Sequence, residues 1–200
     1  LCALLQLSQL PVLRNLNLSQ NKIKAIGGNF ISKSLESVNF SKNKIAAIEA
    51  TTFAKLPALK ILDLRENCLE EFSSFPISKK LETVLLSFNN IEKLSGLSNS
   101  PSITTLDIKN NKLPVLTDEI FALKALKNLD VSNNDLNALP YELGIMKNLG
   151  KLQIEGNPLK TIRLAVRQGG SEVIKKYLAS KIDPNAALET ENAGGATDLR

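Results

Sequence analysis

The chain has 200 residues, a formal net charge of +5, 35 Leu and 20 Asn, and neither His nor Trp. Without His, Ser-His-Asp and Cys-His catalysis and His-containing zinc sites are excluded within this chain, and we expect neither an enzyme nor a cofactor. A hydrophobic fraction of 43% with 22% charged residues belongs to a soluble folded chain able to bury a core. No apolar run is long enough for a bilayer, and Cys2 and Cys68 are too few for a disulfide framework, which points to a reduced, intracellular (cytoplasmic) compartment.

Asn at one residue in ten is notable because Asn suits neither helix nor strand. The fold must use it repeatedly. The chain begins at Leu1 rather than Met and is expected to be a piece of a longer protein. Leu4, Leu7 and Leu10 read as the convex half of a preceding coil, so residues 1–12 form a partial repeat. From Leu13 the pattern L-x-x-L-x-L-x-x-N-x-L begins, with Leu13, Leu16, Leu18, Asn21 and Ile23. It restarts in the same phase at Leu35, Leu59, Leu81, Ile103, Leu126 and Leu149. The Asn positions are Asn21, Asn43, Asn67, Asn89, Asn111, Asn134 and Asn157, spaced by 22, 24, 22, 22, 23 and 23 residues.

Alternation around Leu16 and Leu18 is the period of a strand, with apolar side chains inward and polar ones outward. The Asn that ends each strand is expected to turn its amide inward and bond backbone groups of neighbouring coils that burial would otherwise leave unpaired. A further apolar residue (Ile26, Ile48, Phe72, Leu94, Leu116, Leu139, Ile162) continues the core. The return segments supply Leu7, Phe30, Phe53, Phe75, Leu97, Ile120 with Phe121, and Leu143 on the convex side. Pro11, Pro57 and Pro101 end convex turns where no donor is needed. Short helical or 3₁₀ turns are expected there, most clearly at 118–124 and 141–147.

This pattern resembles the leucine-rich repeat family over roughly residues 1–165. The resemblance implies a right-handed α/β solenoid, with a parallel sheet on the concave face and short helices or 3₁₀ turns on the convex face. Units of 22–24 residues without a Gly-x-Ile-Pro signature, and without Cys-rich caps, resemble the intracellular classes. We divide the chain into a solenoid at 1–162, capping helices at 163–182 and an acidic tail or linker at 183–200. Residues 163–168 read as a short helix broken at Gly169-Gly170. Ser171 is placed to cap a second helix over 172–182, whose apolar face is Val173, Ile174, Tyr177, Leu178 and Ile182. The tail has a net charge of −3 and only Leu188 and Leu199 as large apolar residues, a composition that favours disorder. The run 152–182 also resembles the segment that closes a block of repeats in an intracellular member of the family, where a linker and further repeats follow.

The concave face is the default binding surface of a curved solenoid. Its outward columns are mostly small and polar. Ile61, Leu85 and Phe88 are the exceptions, large and apolar on the third and fourth repeats and close enough to form one patch. Asp63, Arg65, Asp107 and Lys109 are expected to rim it, with Thr83, Ser87 and Asp130 beside them. An apolar centre with a charged rim suits a protein-binding hot spot. Asp63, Asp107 and Asp130 share a column, but Lys109, Lys127 and Lys151 can neutralise them, and no metal is expected. Asn17-Leu18-Ser19 and Asn39-Phe40-Ser41 match a glycosylation sequon inside strands and are read as chance. Gly27-Gly28 and Gly169-Gly170 lack a phosphate-loop Lys, and Lys42, Lys44, Lys79 and Lys80 are not interleaved with aromatics, so nucleic acid is not indicated. The function expected is a noncatalytic, monomeric scaffold that binds a protein partner. The alternative is a regulatory or targeting module of a larger signalling enzyme such as a kinase, GTPase-linked protein or ubiquitin ligase. A third reading, a receptor ectodomain, needs a signal peptide and Cys-rich caps upstream.

Overall fold

A computed structural model describes residues 10–27, 31–49, 51–73 and 75–182. The partial first repeat up to residue 9, Phe30, and the tail at 183–200 lie outside the described residues. Each motif forms a three-residue strand: β1 (Asn15–Asn17), β3 (Ser37–Asn39), β5 (Ile61–Asp63), β7 (Thr83–Leu85), β9 (Thr105–Asp107), β10 (Asn128–Asp130) and β11 (Lys151–Gln153). They pair in parallel and in chain order as one seven-stranded sheet. The register keeps the repeats in phase, with Ile61 opposite Thr83 and Asp63 opposite Leu85.

The core follows from that register. Val38, Leu62, Val84, Leu106, Leu129 and Leu152 stack inward from the strands, and Phe40, Leu64, Leu86, Ile108, Val131 and Ile154 stack just beyond them, all buried. Burying one such side chain stabilises by roughly 1.5–3 kcal/mol. Phe40 meets Phe53 with ring centroids 6.4 Å apart, and Phe72 meets Phe75 edge-on at 4.8 Å.

The segments below the turns hold four two-residue strands, β2 (Ala25–Ile26), β4 (Ala47–Ile48), β6 (Glu71–Phe72) and β8 (Lys93–Leu94). β2 pairs with β4 and β6 with β8. The sequence locates their core residues but not the strands, because two residues are too few for alternation to show. On the convex side 3₁₀ turns span Leu97–Asn99, Asp118–Ala122 and Tyr141–Ile145, each burying one aliphatic side chain: Leu97, Ile120 and Leu143.

Helices α1 (Leu164–Arg167) and α2 (Gly170–Ala179) follow the last strand. α2 starts two residues earlier than the sequence suggests and has no side-chain cap. Ser171 has a different use. Its hydroxyl accepts the Leu152 N–H at 2.9 Å and lies 3.2 Å from the Leu152 carbonyl, to which it donates. Leu152 belongs to the last strand of the sheet, where among the described residues no further strand bonds its outer edge. Ile174 and Leu178 are buried beneath α2, whereas Val173, expected on the apolar face, is exposed. Among the described residues no helix is long and apolar enough to cross a membrane.

Candidate functional site

The concave face is shaped by the turn that ends each strand. Asn43, Asn67, Asn89, Asn111, Asn134 and Asn157 are buried there. Each amide oxygen accepts a backbone N–H of the preceding repeat, from Ile23, Ile45, Leu69, Ile91, Leu113 and Leu136 respectively, at 2.9–3.1 Å. Each amide nitrogen donates both within its own repeat and across to the preceding one. The Leu86 carbonyl, for example, accepts from Asn89 at 2.9 Å and from Asn111 at 3.1 Å. Asn21 opens the series differently: it is exposed and, among the described residues, donates to Leu18 and Ser19.

A second set of side-chain bonds lies one step up the strand, and the repeat motif does not announce it. Asn17, Asn39, Asp63, Asp107 and Asp130 each accept the backbone N–H two residues on, at 2.8–3.2 Å. These are Asx turns, in which a short side chain imitates a turn of the backbone. The signal that could have found them is Asn or Asp in the outward column with Ser, Arg or Lys two residues later. The two sequon matches are two of these turns. The Asp column is thus built for local geometry. Asp63 also takes a bidentate pair from Arg65, at 2.9 and 2.6 Å, and Asp107 accepts the Ser87 hydroxyl at 2.8 Å. The hydrogen bond that Arg65 donates to Asp63 raises the Arg65 pKa. Among the described residues no three His, Cys, Asp or Glu side chains group in a way that could hold a metal ion.

These bonds correct the expected rim. Asp63 is only 5% exposed and Ser87 is fully buried, so neither offers area to a partner. Thr83, Asp107, Lys109 and Asp130 are half-buried and Arg65 is exposed. Of the apolar trio, Ile61 is 42% and Phe88 51% exposed, while Leu85 is half-buried.

The fourth repeat departs from its neighbours twice. At the Asx position it carries Leu85, which has no acceptor. Three residues later the chain passes through left-handed backbone in every repeat, at Gln20, Lys42, Glu66, Phe88, Asn110 and Asn133 with φ between 52° and 59°, and at Gly156 with φ 73°. Asn and Gly tolerate this region, but for a large aromatic residue it is an outlier that costs roughly 1–2 kcal/mol. Phe88 holds this conformation with its ring turned out to solvent rather than tucked beneath the turn, and the Lys109 ammonium lies 5.8 Å from the ring centroid.

At the near edge of the sheet, Glu36 bridges Arg14 at 2.7 Å and Lys60 at 2.8 Å. The bond from Lys60, with its charge, holds the Glu36 carboxyl below its usual pKa, and the Lys60 pKa is raised in return. The charge of Glu36 therefore stabilises at neutral pH and stops doing so as pH falls through that lowered value. The three side chains are well hydrated, so the contribution is small and screened by salt.

The sequence profile described as leucine rich repeat matches residues 33–91 and 101–159. No curated protein matches the chain. Among solved structures, a leucine-rich repeat protein of Leptospira interrogans is 26% identical with a TM-score of 0.62, covering 78% of this chain and 46% of its own. YopM from Yersinia enterocolitica is 23% identical with a TM-score of 0.45, covering 75% of this chain and 39% of its own. This chain thus spans less than half the length of either structure. The profile's two matched segments take in more than half of the residues and meet the repeats in phase. With its Asn series and parallel sheet, the chain belongs to the leucine-rich repeat family.

Proposed function

We propose that this chain is a noncatalytic scaffold that binds a protein partner on its concave sheet, centred on Ile61, Leu85 and Phe88. The observation that carries the reading is the double exception in the fourth repeat. Exposed hydrophobes scattered singly need no explanation. Here two local rules fail in one strand-turn unit, and both failures place apolar side chains on the repeat next to that of exposed Ile61. Departures from local structural preference concentrate where function demands them. Thr83, Arg65, Asp107, Lys109 and Asp130 surround the patch. The Asx turns fix the orientations of Asp107 and Asp130 in advance and the Asp63 pair fixes that of Arg65, which limits the ordering entropy lost on binding. Leucine-rich repeats are commonly protein-interaction modules, which fits a sheet whose outward positions vary while its frame does not. The run 152–182 supports a placement of this block before a linker, as in leucine-rich repeat-containing protein 40, and the scarcity of Cys supports an intracellular protein.

The test is site-specific photo-crosslinking. Benzoylphenylalanine incorporated at Phe88 is expected to crosslink the partner that the wild-type chain retains. The same group at Val115, exposed on another side of the coil, is expected not to. Crosslinking from Val115 with none from Phe88 refutes the concave site.

A further inference from the structure

The convex side carries a feature that the concave reading does not use. Between the turns Asp118–Ala122 and Tyr141–Ile145 lies a cleft of about 460 Å³ lined by Phe121, Leu126, Ile145 and Met146. Leu126 is buried and Ile145 is 60% exposed, so the cleft runs from a dry floor to an apolar lip. Its volume lies within the range of small-molecule sites, which are mostly apolar with a few polar groups fixing orientation. Lys124 and Lys147 supply those groups, and neither forms an ion pair among the described residues. Glu142 also lines the cleft, leaving one positive charge in excess. The walls are tied together, since Asn148 donates to the Lys124 carbonyl at 2.8 Å. The adjacent Leu143 and Gly144 are covered, the first by the core and the second by α2, but nothing described covers Ile145.

We infer that this cleft is a second binding site, for a small organic anion with an apolar body and a carboxylate at one end. The apolar body displaces water from Phe121, Ile145 and Met146, while the carboxylate meets the two unpaired ammonium groups. A cationic amphiphile would find the same floor with the wrong charge at the mouth. The site is independent of the concave face, so failure of either leaves the other standing.

Met146 is the only methionine in the chain, so labelling methionine methyls with carbon-13 places a single resonance inside the cleft. Titrating the full chain with decanoate is expected to move that resonance saturably. Decyltrimethylammonium, with a chain of similar length and the opposite charge, is expected to bind about fivefold more weakly. The double variant Lys124→Gln with Lys147→Gln should lose this preference while its unliganded resonance stays in place. Equal binding of the two amphiphiles would reduce the cleft to an apolar dent and overturn the proposal, as would a resonance that does not respond. The proposal also fails if Leu188→Ser with Leu199→Ser shifts the unliganded resonance, because the cleft would then hold the chain's own C-terminal segment.

Discussion

Replacing Asn111 by Ala is expected to destabilise the fold by about 3 kcal/mol, because a buried backbone donor left without a partner costs about 1–3 kcal/mol and three further bonds disappear with it. The orphaned donor is the Ile91 N–H, bound to the Asn111 amide oxygen at 2.9 Å. The amide nitrogen donates to Leu86, Ile108 and Lys109 at 3.1, 2.9 and 3.2 Å. The penalty is bounded because Leu86 and Ile108 keep their bonds from Asn89 and Asn134. Asn111→Asp is expected to do at least as much damage, since a carboxylate still accepts from Ile91 but has no proton for the carbonyls and places a charge against them. Asn21→Ala is the control. Asn21 is exposed and bridges no preceding repeat among the described residues, so the destabilisation should be less than about 1 kcal/mol, as for an ordinary hydrogen bond. Urea denaturation midpoints check all three. Equal destabilisation by Asn21→Ala and Asn111→Ala would show that the bonds between repeats contribute nothing.

The second large effect is expected at Gly144. A Cβ there would lie 2.6 Å from the Lys175 carbonyl and 2.9 Å from the Ala179 Cα, and closer still to the Ala179 nitrogen. All three are backbone atoms of α2, so no side chain can rotate away and the helix itself must move. Forcing one extra carbon into such a site typically costs about 1–3 kcal/mol, and Gly144→Ala is placed at the upper end of that range. Moving α2 also strains the Ser171 bonds to Leu152 and loosens the cover over Ile174 and Leu178. Because repeats bear mainly on their neighbours, the damage should stay at the C-terminal end. Hydrogen exchange should quicken for the amides of β11 and α2 while those of β3 and β5 keep their protection. Unchanged exchange in β11 would mean that α2 is not the cover of the last coil.

The repeat frame was legible in the sequence because it depends on periodicity and on one residue type with one use. Leu and Ile at fixed spacing dictate the inward stacks, and an Asn at the strand end is the residue that satisfies both a neighbouring N–H and neighbouring carbonyls. The 3₁₀ turns at 118–124 and 141–147 were equally readable and run Asp118–Ala122 and Tyr141–Ile145. Burial within the outward columns was not legible. Asp63 and Ser87 are polar and lie in columns that point out of the sheet, yet both are buried and held by side-chain bonds, Asp63 to Arg65 and Ser87 to Asp107. The burial of Ser87 goes with a bond across repeats, which no single motif displays, and that of Asp63 with its Asx turn and its Arg65 pair. Phe88 was visible as an exception of type, but its left-handed backbone was not, because Gln, Lys and Glu hold that position elsewhere without the Gly that usually advertises it. Ser171 followed a sound local rule for helix caps and was overridden by the unsatisfied edge of β11.

Leu85→Asn separates a binding role of Leu85 from a structural one when stability and binding are read on the same preparation. Asn at this position supplies the Asx acceptor that neighbouring repeats possess. The gain of one hydrogen bond of about 1 kcal/mol offsets the apolar burial that a half-buried Leu gives up. A concave binding site predicts a urea-derived stability within about 1 kcal/mol of wild type, together with loss of the partner that crosslinks through position 88. A variant destabilised by about 2 kcal/mol or more, the range of a core Leu truncation, or one that retains the partner undiminished, would show that Leu85 serves the fold and not a binding site.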